Sequence, residues 1–321
     1  MLTIKLFQRQ QIDDSLWNNF IDNSPQKILY AYSWYLDTVA PRWSALIATD
    51  EQGWLAVLPI PLCRKFGFWV VQQPLFCQIL GIFLKNNEVN QNISEQLVAK
   101  LLTEYRYIST YSGIFLGISQ RSNRSKRWPR YQSCFTHILD LNQNFEKLKN
   151  NYSTDRKNNL KKAQKYDWQV TESVDIEPII DIFIQYHADQ IEGGVSENAY
   201  CLLKRVFEKL VEKKAVKLLY ALKNNQIEAG AMFAVYAGRI IYIFNAATPT
   251  GRQYNARTLL IDNVLEQYAE SGFVFDFESP MIDSIGNFYE SFGADKLYFE
   301  ELKYNNLPFP FKQIQGWRLD K

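Results

Sequence analysis

The chain spells one order of elements twice, and few folds accommodate such a repeat. From Lys217, the stretch KLLYALKNNQIEAGAMFAVYAGRIIYIFNAATPTGRQYNARTLLIDNVLEQYAESG reads as strand, turn, strand, turn, strand, loop and helix, and a strand over residues 273–277 follows. Asn224-Asn225 and Ala237-Gly238-Arg239 supply the turns, because Asn and Gly tolerate positive φ. Between them lie β-branched, aromatic and small apolar residues suited to a pleated surface. Ala256, Leu259, Leu260, Val264 and Tyr268 keep a helical period, and Gly272 is placed to end that helix in the left-handed conformation. From Ala45, ALIATDEQGWLAVLPIPLCRKFGFWVVQQPLF again gives strand, an Asp-Glu-Gln-Gly turn, a long apolar strand, a Lys-Phe-Gly turn and a third strand. A helix with Ile93, Leu97, Leu101, Tyr105 and Ile108 on one face follows, and then the strand GIFLGIS from Gly113. A repeat on this scale argues for a duplicated unit, and 321 residues are enough for two domains with a core each. The expectation is an α/β (α+β) protein of two domains, residues 1–141 and 142–321, each a mixed, largely antiparallel sheet flanked by helices.

The two copies differ where chemistry would sit. In GFVFDFESPMIDSIGNFYESFGA an apolar strand runs into Asp276 and Glu278, then a short helix and a Phe-Gly-Ala end. The carboxyl ends of strands border the ligand crevice in open α/β sheets, so two carboxylates there are placed to meet a reacting group. The first copy has Gly117, Ile118 and Ser119 at the equivalent point. Chemistry is therefore expected in the second copy or in the cleft between the two.

This order resembles the second half of the GNAT acyltransferase fold, and more closely its FemAB-like branch (peptidoglycan-bridge, Acetyltransf_6 and BioF2-like proteins). Upstream, HILDLNQNFEKLKNNYSTDRKNNLKKAQKYDWQV is similar to the FemAB-like stretch in which a strand ending in Asp-Leu leads to a helix carrying Arg156, Asn158, Lys161, Lys162 and Ala163. The resemblance implies tandem GNAT-like domains and an acyltransferase acting on an amine. It implies no tightly bound cofactor, with acyl-CoA or another carrier-borne acyl donor as co-substrate. An acyl carrier protein or an aminoacyl-tRNA is the alternative donor, and the acceptor is a small-molecule or cell-envelope amine. By the same resemblance Tyr289, in NFYESFGA, is the acid for the leaving group. A FemAB-like transferase drawing on charged tRNA for peptidoglycan bridges, and a degenerate GNAT-fold binding protein without catalysis, remain as alternatives.

Composition bounds the rest. Aromatic residues make up 15% of the chain, which argues against disorder and for deep cores or an aromatic-lined cleft. Cys63, Cys77, Cys134 and Cys201 form no C-x-x-C pair, and with only His137 and His187 beside them no metal site is expected. Reduced thiols suit a cytoplasmic protein. A cysteine nucleophile served by one of the histidines gains no support from spacing. No secretory signal is visible, and no stretch reaches the roughly 18 apolar residues that span a bilayer.

A net charge of +2 points to no global polyanion partner such as DNA. Local clusters differ. Arg121, Arg124, Lys126, Arg127 and Arg130 share a loop, and Lys147, Lys149, Arg156, Lys157, Lys161, Lys162 and Lys165 populate the helical region after Leu141. Most of those lysines read as a solvated helix face. Arg156 and the loop arginines suit phosphate, because a guanidinium fork matches paired phosphate oxygens. The GNAT phosphate loop, (Arg/Gln)-x-x-Gly-x-(Gly/Ala), is where this chain departs from the family. Started at Arg252, it puts Asn255 and Arg257 at the glycine positions, and Gly251 falls too early. Arg252, Asn255 and Arg257 are accordingly the expected donor-binding residues, with side chains in place of backbone N–H groups. Asp276 or Glu278 is the expected base, Tyr289 the acid.

Overall fold

The computed structural model describes residues 2–65, 67–87, 91–114 and 129–313. The chain divides into two compact units, one of Met1–Cys134 with Tyr298–Lys321 and one of Phe135–Leu297. The units thus divide before the expected 141/142 boundary, and the C-terminal segment joins the first unit.

In the first unit β1 (Thr3–Gln8) is followed by helices α1 (Asp14–Asn23) and α2 (Ser33–Val39) and by strands β2 (Arg42–Asp50), β3 (Gly53–Lys65) and β4 (Phe68–Gln72). Two short strands, β5 (Leu80–Gly81) and β6 (Phe83–Leu84), precede helix α3 (Gln91–Glu104) and β7 (Tyr107–Ile114). Neighbouring strands run β1-β2-β3-β4-β7, and β14 (Asp295–Asn305) pairs with β7 from the chain's end. All these pairs are antiparallel except β4 with β7. Trp17 and Trp43, with ring centroids 5.2 Å apart, anchor the core beneath α1 and are fully buried. Each large aromatic side chain so buried contributes roughly 1.5–3 kcal/mol.

The second unit repeats the plan. Strand β8 (Arg130–Asp140) leads to α4 (Phe145–Asn150), α5 (Thr154–Tyr166), β9 (Gln169–Glu172), α6 (Glu177–Tyr186) and α7 (Glu197–Glu212). A meander of β10 (Val216–Lys223), β11 (Gln226–Tyr236) and β12 (Arg239–Ala247) follows. Then come α8 (Pro249–Gln253), α9 (Ala256–Gln267), β13 (Val274–Asp276) and α10 (Asp283–Glu290). The order β9-β10-β11-β12-β13-β8 is antiparallel throughout except for β12 with β13. Both units therefore carry a parallel pair between the third meander strand and the strand after the next helix, and in the first unit the short β5 also pairs with β7 in the parallel sense. The core between this sheet and α5, α9 and α10 is built from Leu219, Phe233, Ile240, Leu260, Val264, Phe275, Phe277 and Phe292.

The turn chemistry holds in detail: Asn224 and Asn225 take φ of 50° and 63°, and Ala237 and Gly238 take 52° and 77°. Three element boundaries differ from expectation. Helix α9 ends at Gln267, so left-handed Gly272 (φ 72°) lies in the following turn and does not cap it. Helix α3 ends at Glu104, which leaves Tyr105 beyond it and Ile108 inside β7. That strand starts at Tyr107, ahead of the expected Gly113, and Gly117, Ile118 and Ser119 lie outside the described residues.

Candidate functional site

The parallel pair of the second unit opens like a fork. Register holds only for Arg239↔Val274, Ile240↔Phe275 and Ile241↔Asp276, after which β13 stops and β12 runs on to Ala247. At that point the ladder between β11 and β12 shifts: Phe233 faces Tyr242 and Met232 faces Phe244, leaving Ile243 unopposed. An extra residue of this kind bends a strand and frees backbone groups from the ladder. Beyond Ile241, β12 has no strand partner on the side where β13 has ended, among the described residues, and at its far end the Ala247 amide donates to His187 Nε2 at 3.2 Å.

Two tyrosines and two arginines gather beside this edge. Tyr289, on α10, is buried with its ring 4.7 Å from Phe277 and 6.3 Å from Tyr242. Burial pushes its phenol up to about 12, with Arg257 opposing and Glu278 adding to the shift. Tyr242 is buried too, and its hydroxyl has no hydrogen-bond partner among the described residues. Burial raises its pKa well above the usual range, the neighbouring Tyr289 adds to this and Arg257 opposes it. Arg257, in the first turn of α9, donates from Nη1 to Asn245 Oδ1 on β12 at 2.9 Å.

Arg156 on α5 is 5% exposed. Its guanidinium lies over Phe288 at 4.1 Å and Phe292 at 4.6 Å, donating from Nε to Ser291 Oγ (2.9 Å) and from Nη1 to Thr258 Oγ1 (2.5 Å). Burial lowers its pKa to about 10, and Arg257 lowers it further while Tyr152 opposes. Neither guanidinium is within salt-bridge distance of a carboxylate among the described residues. A buried cation normally has an anion beside it. Arg156 instead borders an open cavity of about 530 Å³ with Asn159, Asn287 and Phe288, whose lining also includes the carboxylates of Asp155 and Glu290.

The helix that carries Arg257, and that Arg156 meets at Thr258, adds to the positive field. Asn255 precedes α9 with φ 56° and ψ 35° and its side chain does not cap the helix, whose first-turn residues Ala256 and Thr258 are buried. Such an end attracts anions. His187 Nε2 is 2.9 Å from Ala247 O at the far end of β12. Burial lowers its pKa, Arg257 and Arg252 contribute in the same direction, and the bond to Ala247 opposes.

The acidic pair divides in role. Asp276 is 1% exposed and both its oxygens are occupied: Oδ2 accepts from Arg239 Nη1 at 2.7 Å, and Oδ1 from Thr136 Oγ1 and the Glu278 amide, each at 2.9 Å. It ties β8, β12 and the turn after β13 together, and burial among three donors suits a structural brace better than the base expected from sequence. Strand alternation also fails to relate it to Glu278, whose φ of 47° breaks the strand after Phe277. Glu278 is half-buried and close enough to Tyr289 to raise its pKa.

A second brace lies behind this turn. Ser279 Oγ is 2.7 Å from His137 Nδ1 and accepts the His137 amide at 3.0 Å, while His137 Nε2 is 3.2 Å from Glu290 Oε1. The order of groups is that of a hydrolase relay, but Ser279 is 1% exposed and its lone pair is committed to the backbone. It holds β8 to the turn. Neither histidine is hydrogen-bonded to a cysteine sulfur among the described residues.

The remaining expected residues sort by position. Arg252 is exposed on α8, which opens with Thr248 accepting the Gly251 amide at 3.1 Å. A Cβ at Gly251 would fall 2.1 Å from Glu228 O, so that glycine seats α8 against β11. Lys161, Lys162 and Lys165 are exposed along α5, as a solvated face requires. Arg121, Arg124, Lys126 and Arg127 lie outside the described residues, which include no cluster able to hold a metal ion. Sequence reasoning missed Tyr242 and Asn245, on a strand read only for its apolar pattern, and Thr258, whose single signal is its place in the first turn of α9.

A repeated unit of largely antiparallel sheet with a forked parallel pair is the arrangement of a GNAT-like fold. Residues 149–284 match the Acetyltransf_6 family model, an acetyltransferase (GNAT) domain. In fold the whole chain is of the tandem, FemAB-like kind. It is similar to the crystal structure of FemX (TM-score 0.64, 12% identity, 95% of this chain and 98% of that one). It is also similar to a conserved protein of unknown function from Bacteroides thetaiotaomicron (TM-score 0.58, 10% identity, covering 94% and 99%). A tandem GNAT protein from the clavulanic acid biosynthesis pathway matches at TM-score 0.55 and 11% identity, covering 96% and 99%. None of the curated proteins matches the chain in sequence.

Proposed function

We propose that the protein transfers an acyl or aminoacyl group from a phosphate-bearing carrier to an amine, at the fork between β12 and β13. The observation that carries this reading is the pair of arginines, Arg156 and Arg257, at the first turn of α9, neither within salt-bridge distance of a carboxylate among the described residues. Guanidinium groups and the amides of a helix N-terminus together recognise phosphate oxygens. Side-chain donors here take the place of the glycine-rich backbone approach, and acyl-CoA is the donor this arrangement suits.

The acceptor amine attacks the acyl carbonyl carbon, and the new C–N bond forms as the C–S or C–O bond to the carrier breaks. Glu278, directly or through a water, takes the proton the amine must lose. The oxyanion is received by N–H groups on the freed edge of β12. Tyr289, protonated well beyond neutral pH because it is buried, gives its proton to the leaving thiolate or hydroxyl. Asp276 positions Glu278 by holding its amide. A cationic acceptor is supported by a cavity of about 650 Å³ between α6 and α7, with Ile180 and Ile184 in its lining and Asp181, Asp189 and Glu197 around them. A cytoplasmic location accords with four cysteines, none of them in a disulfide. Among the described residues no helix is long and apolar enough to cross a membrane.

Arg257→Ala tests the reading. Loss of one charge-assisted contact costs about 1.5–3 kcal/mol, or roughly 10- to 150-fold in donor affinity, with the melting temperature unchanged. Calorimetry against acetyl-CoA, acyl carrier protein and charged tRNA identifies the carrier. A donor that binds the variant as tightly as the wild type removes Arg257 from the site.

A further inference from the structure

The first unit has the same parallel pair, and its fork is closed. Strands β4 and β7 are paired through Val71↔Ile108 and Gln72↔Thr110, as β12 and β13 are at their start. Where β12 runs on alone, the chain of the first unit leaves after Gln72, loops out and returns. Leu80 and Gly81 then pair with Gly113 and Ile114 of β7 in the parallel sense, and Phe83 and Leu84 pair with Val57 and Ala56 of β3. The returning residues occupy the space that the second unit leaves open.

This contact is backbone against backbone. A Cβ on Gly113 would lie 2.4 Å from Gly81 Cα, and one on Gly81, which has φ 94°, would lie 2.6 Å from the Ile114 nitrogen. No side chain fits between the strands, and neither would the arm of an acyl carrier. The segment is also fastened from several sides. Gln73 donates to Cys77 O (2.7 Å) and accepts from the Ser112 amide (3.2 Å); the Gly81 amide donates to Tyr111 Oη (3.3 Å), and the Leu84 amide to Gln26 Oε1 (2.9 Å). Tyr35 Oη donates to Phe76 O at 2.5 Å, where Phe76 takes φ 58°, a conformation an aromatic residue adopts only when its surroundings impose it. Ile79, Leu80, Ile82, Phe83 and Leu84 are all buried. Opening the fork would expose this apolar run and break its ladder together.

We propose that residues 80–84 seal the first unit against an acyl carrier, so that the protein takes up one donor per chain, in the second unit. The stoichiometry rests on the donor reading above; the seal does not. Two measurements on the full chain separate them. Calorimetric titration with acetyl-CoA reads a stoichiometry of one, and Arg257→Ala loses at least about tenfold in affinity with no second set of sites appearing. Two donors per chain, or wild-type binding that survives in Arg257→Ala, overturns the proposal. Hydrogen exchange reads the seal directly: the amides of Gly81, Ile82 and Leu84 should exchange within about tenfold of those in β2, as part of one cooperative core. Exchange at open-loop rates overturns the seal whatever the titration shows. If acetyl-CoA fails to bind while these amides stay protected, the donor reading fails and the seal stands.

Discussion

At the scale of single residues, a side chain's chemical type was legible in the sequence and its partners were not. Asp276 shows the difference. Its position at a strand end suits a base, but the groups that hydrogen-bond its oxygens come from Thr136 and Arg239, which are 140 and 37 residues away. Asp276→Asn should therefore destabilise the protein by about 2–3 kcal/mol, because Arg239 loses its counter-charge in a buried site. Denaturant titration beside turnover checks this; full stability with a large loss of turnover would restore the base assignment. Asp262 gives a pH-dependent counterpart. It is buried in α9, accepting from Tyr152 Oη at 3.0 Å, and burial raises its pKa from 3.8 to about 6. The folded protein thus holds this proton more tightly than the unfolded chain. The stability so gained is complete below about pH 4 and is lost as pH rises through 6. Asp262→Asn, neutral at every pH, should be more stable than the wild type by about 1–3 kcal/mol at pH 7.5, with the difference vanishing toward pH 4. A difference that does not vary with pH would mean the carboxyl is not the titrating group.

At the scale of elements, hairpin turns were read well because Asn and Gly at positive φ leave a local signature, as at Asn224-Asn225 and Ala237-Gly238. Boundaries were read less well where burial is continuous. Tyr105 and Ile108 prolong the helical spacing of α3, yet β7 is buried on both faces over most of its length, so periodicity cannot mark where helix gives way to strand. The fork itself was not legible, since it depends on a one-residue bulge at Ile243 and on where β13 stops. The role of Gly251 was not legible for a related reason: the carbonyl that excludes a side chain there belongs to Glu228 on another element. Gly251→Ala must move α8 away from β11, at a cost of about 1–3 kcal/mol. Thermal denaturation checks the cost, and an unperturbed melting temperature would show that α8 is free to shift.

At the scale of the whole molecule, the duplication carried the fold, for two copies of one element order yielded two units in which the third meander strand pairs in parallel with the strand after the next helix. The sequence could not reveal that the last strand of the first unit's sheet is supplied by the C-terminal segment, or that one fork is open and the other filled. The central claim is that acyl transfer occurs at the open fork with Tyr289 as the acid. Its most direct test is release of free thiol from acetyl-CoA by the full chain in the presence of primary amines, comparing the wild type with Tyr289→Phe. Phenylalanine keeps the packing on Phe277 and removes only the hydroxyl, so turnover should fall by about 100-fold or more while donor affinity and melting temperature hold. Equal thiol release by the two proteins would contradict the account.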